Sequence, residues 1–305
     1  MTVKYFPPVH YEKADFKHYL EYVVFRGISF VWQVLPEAVS MQMAKSLAHF
    51  IKPFVKKRNQ LSIEKMIQNL SLEPVIAEKV LLESYENFAC NWVAMARSYH
   101  LTREVMLQNL KRTGFNQLEA CKKEGRGVIM ATLHFGWWEL NPRIFQLLEI
   151  PLAIMVAVQH NPLSDRFINS FREQNGFHEV LHNRLSVRHT LRFLKEGGVL
   201  VIVADIDAGP HGSMLPFLGE KASTSRWPAE LSQRTDSVVT ICTNYKNEQG
   251  QRQIDINPVI DPRDYSKDRS GIEKLTTEMN DQMSDIIKKH PEQWFWMQRR
   301  WKTVE

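Results

Sequence analysis

The chain has 305 residues, of which 44% are hydrophobic, and a formal net charge of +5. This length and apolar content are sufficient for a sizeable core in one large domain or two. The three cysteines, Cys90, Cys121 and Cys242, lie too far apart for a CxxC or metal-ligand motif. They indicate reduced core thiols of an intracellular protein. Residues 1–17 are polar and mixed in charge, so we expect no signal peptide.

The positive charge is concentrated in residues 1–70, which carry ten Lys or Arg and five Asp or Glu. This difference of five equals the net charge of the whole chain. A basic segment beside a neutral body suggests an anionic partner. The same segment is rich in apolar residues, which favours an anionic membrane surface over nucleic acid.

Two apolar stretches lie within this basic segment. Residues 22–35 contain a single charge but are shorter than the roughly 20 residues that span a bilayer. Residues 41–55 are followed by Lys56-Lys57-Arg58. The pattern predicts two helices lying in the interface of an anionic membrane. A helical hairpin packed on the domain and a transmembrane span over residues 19–35 are the alternatives.

Helical periodicity dominates residues 10–123, and prolines 36, 53 and 74 fall near helix boundaries. The clearest helix is predicted over residues 75–100. From residue 127 onward, short apolar runs alternate with amphipathic stretches, which indicates an α/β sheet with crossover connections. Strands are predicted over 127–133, 152–158, 199–204, 237–243 and 253–257. Helices are predicted over 137–149, 162–175, 185–196, 224–234 and 268–289.

His134 and Glu139 are the first candidate site residues. His134 follows the predicted strand 127–133, at an end of the sheet where α/β proteins expose functional groups. Glu139 falls in the first turn of the predicted helix, and the chain between them can fold back to bring its carboxylate to the imidazole. A carboxylate on one ring nitrogen fixes the tautomer and makes the other nitrogen a better general base. A surface corner followed by an unrelated helix N-terminal Glu is the alternative.

The motif His134-Phe-Gly-Trp-Trp-Glu139 resembles the HX4(D/E) motif of glycerolipid acyltransferases. With Glu as its last residue and aromatic residues inside, it is most similar to the late acyltransferases of lipid A biosynthesis. Further matches follow in the order of that family, and the resemblance covers roughly residues 20–302. They lie at residues 161–163, 171–176, 194–198, 205–209, 216–219, 222–224, 290–296 and 299–301. The resemblance implies a helical N-terminal region (1–70, membrane-associating) followed by an acyltransferase-like α/β core (71–305) with a mixed, mainly parallel sheet.

The resemblance also implies substrate-binding residues. Arg172 matches the arginine that the family has between its His and Asp motifs, and its planar guanidinium suits a phosphate or the charge that develops on the acyl carbonyl. Arg166, one or two turns earlier, is the competing candidate. Asp205 and Asp207 follow the predicted strand 199–204, where a site carboxylate and a loop-capping Asp are both expected. The family usually has Gln between these two acids, where this chain has Ile206.

Two weaker signals complete the candidates. Residues 223–225 look like a helix start, which serves either as a phosphate site or as a plain N-cap. The C-terminal residues Trp294, Trp296 and Trp301, with Arg299 and Arg300, suit a glycolipid or a packed helix. Gln298 replaces the His that relatives often carry before the Arg pair, so we expect no catalytic role for that segment.

The expected activity is therefore O-acyl transfer from acyl carrier protein to a hydroxyl of a lipid A precursor, with His134 as general base. No nucleophile elbow, metal site or nucleotide loop is visible, so we expect neither a covalent acyl-enzyme nor a cofactor. The expected location is the cytoplasmic face of the inner membrane, monotopic or peripheral. Acyl-CoA is the alternative donor, and a phosphatidylinositol mannoside, aryl polyene or ornithine lipid the alternative acceptor. A hydrolase and a non-catalytic membrane-associated protein are the remaining alternatives.

Overall fold

The computed structural model describes residues 13–156, 159–174, 178–181 and 184–304. Four helices come first, and the last of them is the longest. They are α1 (Phe16–Val34), α2 (Glu37–Ile51), α3 (Lys56–Leu70) and α4 (Pro74–Ala96). Asp15 starts α1 by accepting the backbone N–H of His18, and proline begins α4, where a missing N–H costs nothing. Helices α1, α2 and α3 all pack on α4.

The α/β part alternates strands and helices, as predicted. Its elements are α5 (Arg103–Asn109), β1 (Leu110–Thr113), α6 (Phe115–Lys123), β2 (Val128–Gly136), α7 (Asn141–Leu147), β3 (Leu152–Val156), α8 (Pro162–Gln174), β4 (His178–Leu181), α9 (Arg184–Lys195), β5 (Val199–Val203), β6 (Ser213–Phe217), β7 (Glu220–Thr224), α10 (Trp227–Thr235), β8 (Val238–Lys246), β9 (Arg252–Ile256) and α11 (Arg269–Lys289).

In the described part of the chain, seven strands form one sheet in the order β1-β9-β8-β2-β5-β3-β4. All neighbours are parallel except β8 and β9, so the predicted mixed, mainly parallel sheet is confirmed. Strand β2 lies at its centre and is buried on both faces. Its alternate residues Ile129 and Ala131 face one apolar core, while Val128 and Met130 face the other. This double burial explains why the strand reads as an uninterrupted apolar run.

Several predicted boundaries are corrected. The helix predicted over 137–149 is a 3-10 turn at Trp138–Leu140 followed by the short α7. The helix predicted from residue 224 begins at Trp227, because residues 220–224 pair with β6 in an antiparallel hairpin. Strands β1 and β4, as well as this hairpin, were not predicted. They are only four or five residues long, too short for a clear alternation of apolar and polar residues.

No helix in the described ranges combines the length and the apolar character needed to cross a bilayer. Helix α1 has two different faces. One face packs on the core through edge-to-face rings, Phe25 against Trp92 and Phe167. The guanidinium of Arg97 caps the C-terminal end of α1 by donating to the carbonyl of Trp32. The other face carries large apolar side chains that are more than half exposed, at positions 16, 20, 23, 24, 30 and 34.

Candidate active site

His134 lies near the end of β2, where pairing with β8 becomes irregular between Thr132 and Gly136. Gly136 has a φ of +56°, and a Cβ there would lie 2.2 Å from the carbonyl oxygen of Asn244. Only glycine fits this turn, which folds the chain back over the sheet. The imidazole of His134 is 27% exposed, so it is held by the protein and still open on one side.

The carboxylate hydrogen-bonded to this imidazole is that of Asp205. Strands β2 and β5 are parallel neighbours, so Asp205, two residues after β5, comes to the same edge of the sheet as His134. Its Oδ1 lies 2.9 Å from Nδ1 of the imidazole, and its Oδ2 accepts the backbone N–H of His134 at 2.8 Å. Oδ2 also accepts from the indole of Trp294 and the amide of Gln298, both at 2.8 Å. Asp205 itself is completely buried.

These contacts decide the protonation of the pair. Burial alone lowers the pKa of His134, but the charge and hydrogen bond of Asp205 outweigh it, helped by the charge of Glu139 and by Gln298, so this pKa lies above its ordinary value. Burial alone raises the pKa of Asp205, but His134, Gln298 and Trp294 hold it below its ordinary value. An ionised Asp205 requires a proton on Nδ1 of the neutral imidazole, which leaves a lone pair on Nε2.

Glu139 has a different partner from the one predicted. Its carboxylate binds the guanidinium of Arg172 in α8 through two parallel bonds, Nη2 to Oε1 at 2.6 Å and Nε to Oε2 at 3.1 Å. Both side chains are largely buried. The backbone N–H of Glu139 donates to Asn91, and Arg172 also donates to Asn169. The predicted contact of Glu139 with the imidazole is therefore corrected: the planar guanidinium matches both carboxylate oxygens, and Glu139 acts on His134 through its charge.

A cavity of about 480 Å³ opens beside the imidazole, with His134, Glu139 and Arg172 in its wall. Ile206 is about half exposed, whereas Leu152 is 2% exposed, so the cavity runs from the surface into the core. Apolar side chains from β3, α8 and β5, and from the third residue after β5, make up much of its wall: Leu152, Ile154, Met155, Val156, Ile168, Val201, Val203 and Ile206. This combination of an apolar wall and a few polar groups is typical of a small-molecule or lipid site.

The other candidate residues lie elsewhere. Asp207 accepts hydrogen bonds from Thr303 and from the backbone N–H of Gly209, so it caps a loop and is not part of the cavity wall. Arg166 is exposed on α8, outside the cavity wall. The predicted substrate contact of Asp205 is corrected as well, because its buried carboxylate lies behind the imidazole.

The predicted helix start at residues 223–225 is not a phosphate site. Ser223 and Thr224 belong to β7, and Arg300 donates to the carbonyl of Ser223 and to the hydroxyl of Thr224. Arg300 is fully buried over the ring of Phe217, and burial lowers its pKa to about 10. This arginine joins the hairpin to the C-terminal segment.

Trp294 and Gln298 belong to the site through their bonds to Asp205, a role that the sequence did not predict. They lie in the C-terminal segment that crosses the end of β2, where the N–H of Phe295 donates to the carbonyl of His134. The absence of the expected His at position 298 led to the prediction that the segment has no catalytic role, although an amide serves equally well as a donor to Asp205. No cluster of three or more His, Cys, Asp or Glu side chains suited to a metal ion occurs within the described ranges.

Comparison with known proteins identifies the class. The sequence profile described as bacterial lipid A biosynthesis acyltransferase matches residues 11–303. The chain therefore belongs to the bacterial lipid A biosynthesis acyltransferase family, and it is an acyltransferase.

Three relatives illustrate the range of the similarity. The chain is 23% identical over 283 residues to the lipid A biosynthesis palmitoleoyltransferase of Escherichia coli (strain K12), covering 91% of this chain and 89% of the relative. It is 22% identical over 286 residues to the lipid A biosynthesis lauroyltransferase of the same strain, with 91% and 90% covered. It is 23% identical over 233 residues to the phosphatidylinositol mannoside acyltransferase of Mycobacterium tuberculosis (strain ATCC 25618 / H37Rv), with 74% and 71% covered.

Proposed function

We propose that this protein transfers a fatty acyl chain from acyl carrier protein to a hydroxyl group of a lipid A precursor. The observation that carries the proposal is the hydrogen-bonded pair of His134 and Asp205, which lies in the wall of an apolar cavity. The pair supplies a general base, and the cavity supplies a water-poor space for a hydrocarbon chain. Both suit the transfer of a fatty acyl chain from a thioester to a lipid hydroxyl.

In the proposed reaction, Nε2 of His134 takes the proton of the acceptor hydroxyl as its oxygen attacks the thioester carbonyl. The resulting tetrahedral intermediate collapses, the carbon–sulfur bond breaks, and the thiolate leaves with the proton returned by the imidazolium. The charge of Asp205 stabilises the imidazolium that forms in between. Because the thiol leaves readily, the protein's main tasks are to position the two substrates and to accept one proton.

Glu139 and Arg172 have a supporting role in this proposal. Their paired charges form one wall of the cavity next to the imidazole, and the charge of Glu139 favours the protonated imidazole. Arg172 was predicted to hold a phosphate or the developing oxyanion. With its guanidinium bound to Glu139 and Asn169, we assign it first to the orientation of Glu139, and substrate binding by Arg172 stays a prediction.

The test uses purified protein with acyl carrier protein thioesters and with acyl-CoA as donors. The acceptors are a phosphorylated disaccharide that already carries acyl chains and a phosphatidylinositol mannoside. Mass spectrometry should show one added acyl chain on the phosphorylated disaccharide, and none with His134→Ala. Transfer to the mannoside alone would leave His134 as the proposed base but would show that the acceptor is not a lipid A precursor. Hydrolysis of the thioester without transfer to any acceptor would overturn the proposal.

We further propose that residues 1–70 dock the protein on the cytoplasmic face of the inner membrane. The exposed apolar face of α1 includes Phe16 and Phe30, and the tilted ring pair of Phe50 and Phe54 projects from the end of α2 and the following turn. Lys56 and its basic neighbours follow two residues after Phe54. Apolar side chains that enter the interface and cations that pair with anionic headgroups together give peripheral binding.

The docking test compares two charge reversals of equal size. Lys56→Glu with Lys57→Glu should reduce binding to vesicles that contain anionic lipid, most strongly at low salt. The matched control is Lys122→Glu with Lys123→Glu, an exposed lysine pair on α6, which should bind like the wild type. Equal binding of both variants and the wild type at low salt would contradict the proposed docking surface.

A further inference from the structure

Asn141 is a polar residue in the cavity wall to which the proposed reaction assigns no role. It is the first residue of α7, two positions after Glu139, and it lines the cavity. Its side chain is only 3% exposed. Neither its Nδ2 nor its Oδ1 has a hydrogen-bond partner in the protein.

Such a side chain is unusual, because nearly all buried polar groups are hydrogen-bonded. Each unpaired group costs about 1–3 kcal/mol of desolvation. Two other polar groups in this wall have protein partners: Glu139 binds Arg172, and the hydroxyl of Thr132 donates to the carbonyl of Cys242. The amide of Gln298 donates to Asp205 but leaves its Oε1 unpaired, whereas Asn141 has neither of its polar atoms paired. The missing partner of Asn141 is therefore expected to come from outside the protein.

The surroundings restrict the chemistry of that partner. Pro142, Leu152, Ile154 and Val201 line the same cavity. Because these neighbours are apolar, the polar group that pairs with Asn141 is expected to be carried by a hydrocarbon chain. A primary amide offers two N–H donors and one carbonyl acceptor. A hydroxyl both donates and accepts, so a single hydroxyl can satisfy Nδ2 and Oδ1 together, whereas a methylene group can satisfy neither.

We infer that Asn141 recognises a hydroxyl group on the acyl chain, and that the preferred donor is a hydroxyacyl thioester. This inference rests on the proposed function, because it names the chain that the cavity holds during transfer. A carboxylate or phosphate would not suit the position, since the nearby charges of Glu139 and Arg172 already neutralise each other. Asn141 is then a specificity-determining residue, and His134 acts in the same way on either kind of chain.

The test is a competition between two donors of equal chain length, one with a 3-hydroxyl or 2-hydroxyl group and one without. The wild type, with acceptor in excess, should transfer the hydroxylated chain about 10-fold faster, since the plain chain leaves the amide unpaired. Asn141→Leu keeps the shape of the side chain and removes both polar atoms. Its ratio of transfer rates, hydroxylated chain to plain chain, should therefore fall to about 1 or below. Ile154→Val, which changes the wall without changing its polarity, should keep the wild-type ratio.

A bound water is the competing partner for the amide. In that case the wild type would show no preference between the donors, and Asn141→Leu would alter both rates equally, which would overturn the inference. Asn141→Ala serves as a second variant should Asn141→Leu fail to fold. The wild-type competition alone already tests the preference.

Failure of the proposed function has a different signature. In that case the wild type would transfer neither chain to any acceptor. Binding of the free fatty acid and of the free hydroxy fatty acid to the wild type and to Asn141→Leu then tests Asn141 without any transfer. Tighter binding of the hydroxy acid to the wild type, lost in the variant, would support the inference, and equal binding would overturn it.

Discussion

The two buried carboxylates beside the cavity, Asp205 and Glu139, differ in the kind of cation that each one faces. Asp205 faces the imidazole of His134, and an imidazole is a group that can take up and release a proton during a reaction. Glu139 faces the guanidinium of Arg172, which stays protonated in proteins. Only the first pair can therefore take up a proton during a reaction, while the second is a fixed pair of charges.

Two carboxylates of similar burial thus acquire separate roles from their partners. The hydrogen bonds around Asp205 hold one imidazole nitrogen and leave the other for a substrate. The bonds around Glu139 hold the chain after β2 against α8. Changes to the first pair should therefore affect turnover, and changes to the second should affect stability at least as strongly.

The largest effect is expected for His134→Ala. It removes the general base, whose contribution is about 10²–10⁴-fold in rate, and should leave a folded protein with little acyl transfer. The matched control is His100→Ala, which alters an exposed histidine outside the cavity wall. Initial rates with a thioester donor measure the effect. Near wild-type turnover by a folded His134→Ala variant would show that the base is another group.

Asp205→Asn should lower the rate and also move its pH dependence. Transfer needs the neutral imidazole, so the rate rises with pH through the pKa of His134, which the wild type holds above its ordinary value. Without the charge of Asp205 this pKa falls, and the acidic limb of the profile should move to lower pH. Asp207→Asn, which alters a loop cap, should leave the limb in place. If the acidic limb of Asp205→Asn stays where it is in the wild type, the charge of Asp205 does not control the pKa of the base.

Glu139→Gln and Arg172→Met should each lower the free energy of unfolding by about 3–5 kcal/mol, because each leaves an uncompensated buried charge. The double variant leaves none, so its loss should be smaller than the sum of the two single losses. Denaturant unfolding of the four proteins measures this cycle. The turnover of these three variants should fall less than that of His134→Ala. Strictly additive losses would mean that the two charges do not stabilise each other.

The smallest effect is expected for Trp294→Phe, which removes one of the donors to Asp205 but keeps an aromatic ring in the core. The carboxylate keeps its bonds to Gln298 and to the backbone of His134, so a loss of about 10-fold or less in turnover is expected from a bond worth about 1.5 kcal/mol. Trp296→Phe is the control, since its indole donates to the carbonyl of Pro291 instead. Equal losses in both variants would indicate a packing effect.

The sequence alone determined the features that depend on local patterns. The apolar run before His134 predicted a buried strand, and the later alternation of runs predicted an α/β sheet with crossover connections. These succeed because the side-chain periods of helices and strands are properties of neighbouring residues. The family motif placed His134, Glu139 and Arg172 in one site for the same reason, since each belongs to a short contiguous stretch.

Which charges meet depends on the packing of elements that are distant along the chain. Asp205 is 71 residues from His134 and becomes its partner because β2 and β5 are parallel neighbours. Glu139 is five residues from His134 but pairs with Arg172, 33 residues away, since the turn at Gly136 directs it toward α8. Gln298 reaches Asp205 only because the C-terminal segment crosses the end of β2. Nearness in sequence suggested the wrong carboxylate, because a sheet brings together the ends of strands that are distant along the chain.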